Sequence, residues 1–288
     1  MDLNLNNTPE KSVLEKLKGK VVVIKYGGNA MIDETARDNV LRNIAQLKNW
    51  GLVPVVVHGG GPFIKDILQK VGIESEFIDG HRKTDGEAIG YVEMALRGKV
   101  NGDLVKQLNH FGCAAVGLSG KDAHSVVAKK RVHRTETDGE IKKADLGHVG
   151  DVDSIDTSLI QTLIKHQYTP VLAPIAVGSD LKDYNINADM FAGHLAGALK
   201  AEAFIAMTNV DGLMRDIKDS SSVINKISIK ALKAEMGDIV QGGMIPKVEA
   251  CMIAIQEGAA QARIINGLTP NSISKTLVTT QEYGTVIH

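Results

Sequence analysis

The stretch VVVIKYGGNAM, Val21 to Met31, joins a β-branched apolar run to a lysine, an aromatic and two glycines. β-Branched residues favour strands, and an unbroken apolar run without polar alternation reads as a strand buried on both faces. Gly27 and Gly28 punctuate its end. The lysine at the tip is the odd member. One reading is a surface ammonium snorkelling from an apolar stem. The other is a charge aimed into a crevice, because open α/β sheets bind ligands at the carboxyl ends of their strands.

The same strand-then-helix pattern recurs outward from this stretch. Ala36, Val40, Ile44 and Leu47 repeat at helical spacing and predict a helix over Glu34–Trp50. LVPVVVH is the next strand, stopped by Gly59–Gly61. Pro62 then opens a helix striped by Ile64, Ile67, Leu68 and Val71. CAAVGLS (Cys113–Ser119), YTPVLAPIAV, AEAFIAMT and QARIING (Gln261–Gly267) are further buried strands. Helices are predicted at Thr157–His166, Ala188–Leu199 and Met244–Gln256. Apolar strands alternating with amphipathic helices imply an α/β fold with a mainly parallel sheet, covered on both faces. Right-handed crossovers then bring Lys25–Gly28, His58–Gly61 and Thr208–Gly212 to one edge. Val126–Val152 is charged, glycine-dotted and weakly alternating, and reads as a β-hairpin excursion. Thr8–Pro9 looks like a helix cap, with Val13, Leu14 and Leu17 on one face of a short helix that must dock to persist. The C-terminal NSISKTLVTTQEYGTVIH is expected to hold a helix and a last strand.

Composition excludes several classes. With 43% hydrophobic and 23% charged residues, the 288-residue chain is an ordinary globular sequence. A formal charge of −1 gives no electrostatic reason to expect nucleic acid or an anionic membrane. The basic run Lys129–Arg134 is followed by TETDGE and reads as a solvated, mixed-charge hairpin. Cys113 and Cys251 lack a CxxC partner and read as small buried hydrophobes in a reducing compartment. No signal-peptide core and no span of ~20 apolar residues is present, so a cytoplasmic location is expected.

The remaining signals concern anions. HGGGP sets three glycines between a strand and a helix N-terminus, where N–H groups favour a phosphate. Neither GxGxxG nor a Walker A motif is present: Ile64 stands at the third glycine, and Asp122 follows Gly120–Lys121. YNINADM aligns Asn185 and Asn187 before Asp189, which opens a helix. GGMIPKVEA places Lys247 in the first turns of another helix, against its macrodipole unless it meets an anion there. GHRKTD sets Arg82 in a glycine-led turn, suited to grip a carboxylate. No metal-ligand spacing and no GxSxG elbow occurs.

The ordered set VIKYGGNAM, VVHGGGP, GHRKTD, AVGLSGKD, LGHVGDV, YNINAD and GGMIPKVEA resembles the N-acetylglutamate kinases of the amino acid kinase family, from Lys20 to Ile287. The resemblance implies an open three-layer αβα sandwich after an N-terminal helical extension (1–19). In it, an N-terminal lobe (20–176) holds the acyl acceptor and dimerises, and a C-terminal lobe (177–288) holds ATP with Mg²⁺ riding on it. It implies that Lys25 and Lys247 stabilise the transferring phosphoryl group and that Asp189 orders them. Gly59, Gly60 and Gly61 offer backbone donors, and Arg82, Asn185 and Asn187 surround N-acetyl-L-glutamate. Gly27 and Gly28, then Asn209, Val210, Asp211, Gly212, Leu213 and Met214, and Ile239, Val240, Gln241, Gly242, Gly243 and Met244 match nucleotide-binding stretches. A homo-oligomer, dimeric and hexameric through the N-terminal helix, and feedback inhibition by arginine also follow from the resemblance. Against the last, Asn271 and Thr276 stand where a histidine and a glutamate are usual. Asn209 replaces a usual aspartate, and Lys83 a small apolar residue. The residues alone also admit a sibling acyl or phosphate kinase, or a binding protein on the same fold.

Overall fold

The computed structural model describes residues 11–137, 140–278 and 283–288. The expected cap at Thr8–Pro9 lies outside them; the helix it would open is present as α1 (Lys11–Leu17), of which Leu17 packs on the core. The first half continues β1 (Val21–Tyr26), α2 (Glu34–Asn49), β2 (Val53–His58) and α3 (Gly61–Lys70). A small hairpin follows, β3 (Phe77–Ile78) and β4 (His81–Arg82). Next comes α4 (Ala88–Glu93), which runs through a π-helical stretch, Met94–Asn101, into α5 (Gly102–His110). After β5 (Ala115–Ser119) come β6 (Val126–Lys130), β7 (His133–Thr137), β8 (Glu140–Ala144) and β9 (Val149–Ile155). Then follow α6 (Ser158–Lys165), β10 (Thr169–Ala173), β11 (Ile175–Gly178), β12 (Asp183–Ile186), α7 (Ala188–Ala198) and β13 (Ala203–Thr208). The chain ends with β14 (Lys226–Ile227), α8 (Ile229–Ile239), α9 (Ile245–Gln256), β15 (Ala262–Asn266), α10 (Ser272–Val278) and β16 (Thr285–Ile287).

The main sheet has the order β14-β16-β15-β13-β1-β2-β10-β5. Its six strands from β15 to β5 are parallel. β16 runs antiparallel to β15 and β14 runs parallel to β16, so the expectation of a common carboxyl edge holds for those six strands and fails at β16 and β14. β1 lies centrally, in register with β2 and β13 (Lys25 opposite Val57 and Ala206). The strand pleat sends alternate residues to opposite faces. Val22, Ile24 and Tyr26 pack with Val40, Leu41, Ile44 and Leu47 of α2 and Leu104 and Leu108 of α5. Val23 packs on the other face, with Phe191, Ala192 and Leu195 of α7 and Val248 and Cys251 of α9. Helices therefore cover both faces, as the apolar runs of both parities require.

Two predicted elements differ. YTPVLAPIAV is two strands: Pro174 cannot donate to a ladder, and the chain leaves the main sheet there. β11 joins β12, β9 and β6 in a closed ring of four strands. The region from Val126 is accordingly more than an excursion. Its outer strands β6 and β9 pair antiparallel and build half of that ring, while β7 and β8 pair as a hairpin between them. The helices from Ala88 to His110 and at Ile229–Ile239 went unread in the sequence. Cys113 and Cys251 are free and buried, as expected. Lys129, Lys130 and Arg131 pair with Asp153, Asp145 and Asp151 at 3.3, 2.9 and 2.5 Å, so this part of the basic run is charge-paired; the side chains of Arg134 and of TETDGE lie outside the described ones.

α7 and α9 lie against one another with little between them. A Cβ on Gly193 would sit 2.5 Å from the carbonyl oxygen of Ala250 and 3.0 Å from its Cα. Both obstacles are backbone, so a methyl must push the helices apart. Gly193→Ala is expected to lower the unfolding free energy by about 1–3 kcal/mol, read by urea denaturation; wild-type stability would mean the contact is looser than these distances.

Candidate active site

Three elements converge at the carboxyl edge of β1. Lys25 has the parity of Val23, so its side chain leaves the sheet on the face covered by α7 and α9. β12 runs directly into α7, whose N-cap is Asn187: its Oδ1 accepts from the backbone N–H groups of Asp189 (2.8 Å) and Met190 (3.2 Å). That cap fixes the first turn and holds Asp189 in it. A 3₁₀ turn, Gly242–Met244, leads into α9 with Lys247 in its first turn.

The three side chains meet. Lys25 Nζ is 3.2 Å from Asp189 Oδ1, and Lys247 Nζ is 3.0 Å from both Asp189 oxygens. Their side chains are 9%, 14% and 8% exposed for Lys25, Lys247 and Asp189. Burial pushes the Lys25 ammonium down to about 8; Asp189 opposes that shift and Lys247 adds to it. Burial alone would raise the Asp189 carboxyl, but the Lys25 and Lys247 charges outweigh it and hold the acid below its ordinary range. The N-terminus of α7 favours the carboxylate there, whereas Lys247 opposes its own helix dipole and is compensated by Asp189.

Two cavities adjoin this cluster, and a third lies near in sequence to one of them. The first, about 330 Å³, is lined by Lys25, the glycines of both turns, Arg82, Asn185, Asn187 and Asp189. The second, about 160 Å³, shares Lys25, Gly27 and Gly28 with it and adds Lys247, Thr208 and Asn209. The third, about 300 Å³, begins at Val210, next in sequence to Asn209, and is lined by Gly212–Ile217, Ile239, Gln241 and Met244. The first two cavities meet at Lys25, and Lys247 lines the second.

The glycines have separate reasons. Gly28 sits at φ +72°, which an L-residue rarely adopts. Gly60 is pressed against Leu96, whose Cδ2 lies 2.6 Å from where a Cβ would be. The Gly59 N–H is already given to the Tyr26 carbonyl at 2.8 Å. At the far wall Arg82 donates to the Gly61 carbonyl (3.2 Å) and to Ser75 Oγ, with its guanidinium 4.6 Å above the Phe77 ring.

Of the residues singled out from sequence, Val210, Gly212, Leu213, Met214, Ile239, Gln241 and Met244 line the third cavity; Asp211, Val240, Gly242 and Gly243 do not. Asp211 accepts from Asn266 Nδ2 (2.8 Å), and Val240 is buried in the core. Thr276 is buried too, and both its carbonyl and its hydroxyl accept from Arg263. Lys83 pairs with Glu76 at 2.8 Å. Sequence reasoning missed Phe77, Gly80 and His81, which line the first cavity from the β3–β4 hairpin, and Arg215–Ile217 at the third. Two-residue strands carry no period to read, though GHRKTD did flag their neighbour Arg82. Among the described residues no group of three or more His, Cys, Asp or Glu is placed to hold a metal ion, and no helix is long and apolar enough to cross a membrane.

Two lysines gathered on one carboxylate beside adjoining cavities suit an anionic ligand, and comparison with known proteins identifies a kinase family. The amino acid kinase family model matches residues 20–266, and the chain belongs to that family. Its relatives include the acetylglutamate kinase of Methanococcus aeolicus, 45% identical over 94% of this chain and 93% of the relative. Those of Methanocaldococcus jannaschii and Heliobacterium modesticaldum are each 44% identical over 95% of this chain, and over 92% and 94% of their own; it is with the acetylglutamate kinases that this chain groups. Among solved structures, an N-acetylglutamate synthase from Neisseria gonorrhoeae, complexed with coenzyme A and N-acetyl-glutamate, gives a TM-score of 0.80 at 19% identity. It is matched over 96% of this chain, which spans 61% of the synthase. Giardia carbamate kinase gives 0.69 at 18% identity over 93% of this chain and 98% of its own. At such identities these two show the fold alone.

The lowered Lys25 pKa has a stability consequence. The unfolded chain keeps this lysine protonated to about pH 10.5, the native state only to about 8. Between those values the unfolded state binds more protons, so native stability gains with rising pH. Below pH 8 the buried ammonium's cost is present in full. The stability of wild type relative to Lys25→Met is expected to rise across pH 8 to 10.5, by up to roughly 3 kcal/mol, in denaturant titrations. A difference that stays flat there would show that the ammonium is not desolvated.

Proposed function

We propose that this chain transfers the γ-phosphoryl group of ATP to the side-chain carboxylate of N-acetyl-L-glutamate, giving N-acetyl-L-glutamyl 5-phosphate, an early step of arginine biosynthesis. The observation that carries the reading is the buried Lys25–Asp189–Lys247 cluster at the junction of the cavities. The acceptor occupies the first cavity, with its α-carboxylate on Arg82 and its amide near Asn185 and Asn187. The phosphates lie along Gly27, Gly28 and Asn209, and the adenine end enters the third cavity.

The chemistry asks for little beyond what these residues supply. A carboxylate is already a nucleophile at neutral pH, so no side chain has to remove a proton. The barrier is the meeting of two anions, and it is lowered by fixed positive charge and by alignment. Two ammoniums against one carboxylate leave the cluster one positive charge in excess. Asp189 holds both lysines at 3.0–3.2 Å, so they need no reorganisation when the phosphate arrives. An incoming phosphate raises the Lys25 pKa again and keeps it charged through the reaction. The glycine turns let phosphate oxygens approach the backbone. Mg²⁺ enters as part of the nucleotide complex and offsets phosphate charge.

Trapping the acyl phosphate with hydroxylamine, in the presence of ATP and Mg²⁺, tests the reading. N-Acetyl-L-glutamate is expected to give the hydroxamate, and L-glutamate, L-aspartate and carbamate to give little. Preference for one of those acceptors would reassign the substrate, and no product from any of them would remove the kinase reading. Lys25→Ala and Lys247→Ala are each expected to lower kcat by about 10²–10³. Wild-type turnover in either variant would sink its assigned role.

A further inference from the structure

One buried polar assembly beneath the first cavity is not used by the chemistry above. His58 ends β2 on the face opposite Val57 and is fully buried. Its Nδ1 is 2.9 Å from the Gly59 carbonyl oxygen, and its Nε2 is 3.0 Å from Asn101 Nδ2. The same Asn101 amide nitrogen also donates to the Val171 carbonyl at 2.9 Å. A carbonyl only accepts and an amide nitrogen only donates, so these contacts allow one arrangement. Nδ1 carries the proton and donates to Gly59, and Nε2 accepts from Asn101. Burial agrees, pushing the imidazole down to about 4 and so keeping it neutral at physiological pH.

Asn101 closes the π-helical stretch Met94–Asn101. Its amide fits because the facing position is Gly117, where any side chain would collide with Asn101 Oδ1. Leu96 and Val100 of the same stretch press on Gly60. Such π stretches are rare and occur frequently at functional sites. Here one serves as the floor of the HGGG turn, touching it once through packing and once through hydrogen bonds.

We infer that His58, oriented by Asn101, is a positioning residue that aims the Gly60 N–H into the first cavity. The peptide between Gly59 and Gly60 is planar and trans, so its C=O and N–H point in opposite directions. Tying the carbonyl to a buried imidazole turns the N–H away from the interior, toward the cavity that Gly60 lines. Glycine has no side chain to hold that plane, so without the tie the donor would have to be organised at each turnover. The inference rests on the proposed phosphoryl-transfer reading, because the N–H gains a role only where an anion forms.

Two measurements test it. The first reads the His58 tautomer in the unligated wild-type protein by long-range ¹H–¹⁵N correlation, and needs neither a variant nor activity. The Nδ1–H form is expected, unchanged from pH 6 to pH 8; an Nε2–H form or a protonation step in that range would overturn the inference. The second compares His58→Leu with His58→Asn, whose amide nitrogen can stand in for Nδ1. His58→Leu is expected to lose about 10²-fold in kcat, as for one misaligned donor, with the acceptor KM within about threefold of wild type. His58→Asn is expected to recover at least tenfold of that loss. Equal impairment of both variants, or wild-type turnover in the leucine variant, would refute positioning. Absence of acceptor phosphorylation in wild type would instead refute the reading of the site while leaving the tautomer result standing.

Discussion

One buried carboxylate organises this molecule. Asp189 meets two ammoniums carried by elements far apart in sequence: Lys25 on the first strand and Lys247 on the penultimate α-helix. Burial disfavours the Lys25 ammonium and brings it down to about 8 even with Asp189 in place, so the carboxylate is what opposes its loss of charge. The arrangement makes demands in turn on the fold. Lys25 must share the parity of Val23 to reach the α7 face, α7 must start where Asn187 caps it, and α9 must lie close enough for Lys247 to reach across. The small residues Gly193 and Ala250 at the α7–α9 crossing serve that last demand.

The sheet supplies the rest by topology. Six parallel strands bring their carboxyl ends to one edge, so the turns after β1, β2 and β13 arrive together without being neighbours in sequence. Pro174 then does something a continuous strand would not. By ending β10 it lets the chain pass into the four-stranded ring, and β12 of that ring delivers Asn185, Asn187 and Asp189 to the same edge. The excursion from β6 to β9 therefore belongs to the site's construction, since β12 is registered on β9 as well as on β11.

Much of this was legible from the chain because it obeys local rules. β1, β2, β13 and β15 announce themselves as apolar runs, and the stripe of α2 names its own buried face. The glycines at 59–61 and the lysine at the tip of β1 stood out for the same reason: they violate the pattern around them. What stayed hidden depends on partners far away in sequence. Nothing local separates β10 from β11 except a proline that a strand end also tolerates. The β3–β4 hairpin is too short to show a period, so His81 and Phe77 went unnoticed beside Arg82. His58 looked like the last residue of a strand; its role is visible only once Asn101 is folded against it. The meeting of Lys25, Asp189 and Lys247 could be expected only from resemblance, since no spacing rule links a strand tip to two helix starts.

The proposed role explains the cluster better than a stabilising one does. Replacing a buried ion triad by well-packed apolar side chains is often neutral or stabilising, so two lysines and an aspartate are a poor way to hold β1, α7 and α9 together. Their surplus of positive charge sits at low exposure beside two connected cavities. In that setting an arriving anion meets ammoniums that have already lost most of their water, and the attraction is stronger than it would be at the surface. A single lysine would give the same sign of charge but could not bracket a transferring group from two sides. A third would add another buried charge against the same single carboxylate. On the proposed reading, two lysines on one carboxylate would supply the clamp, the surplus charge and the fixed geometry with the fewest buried groups.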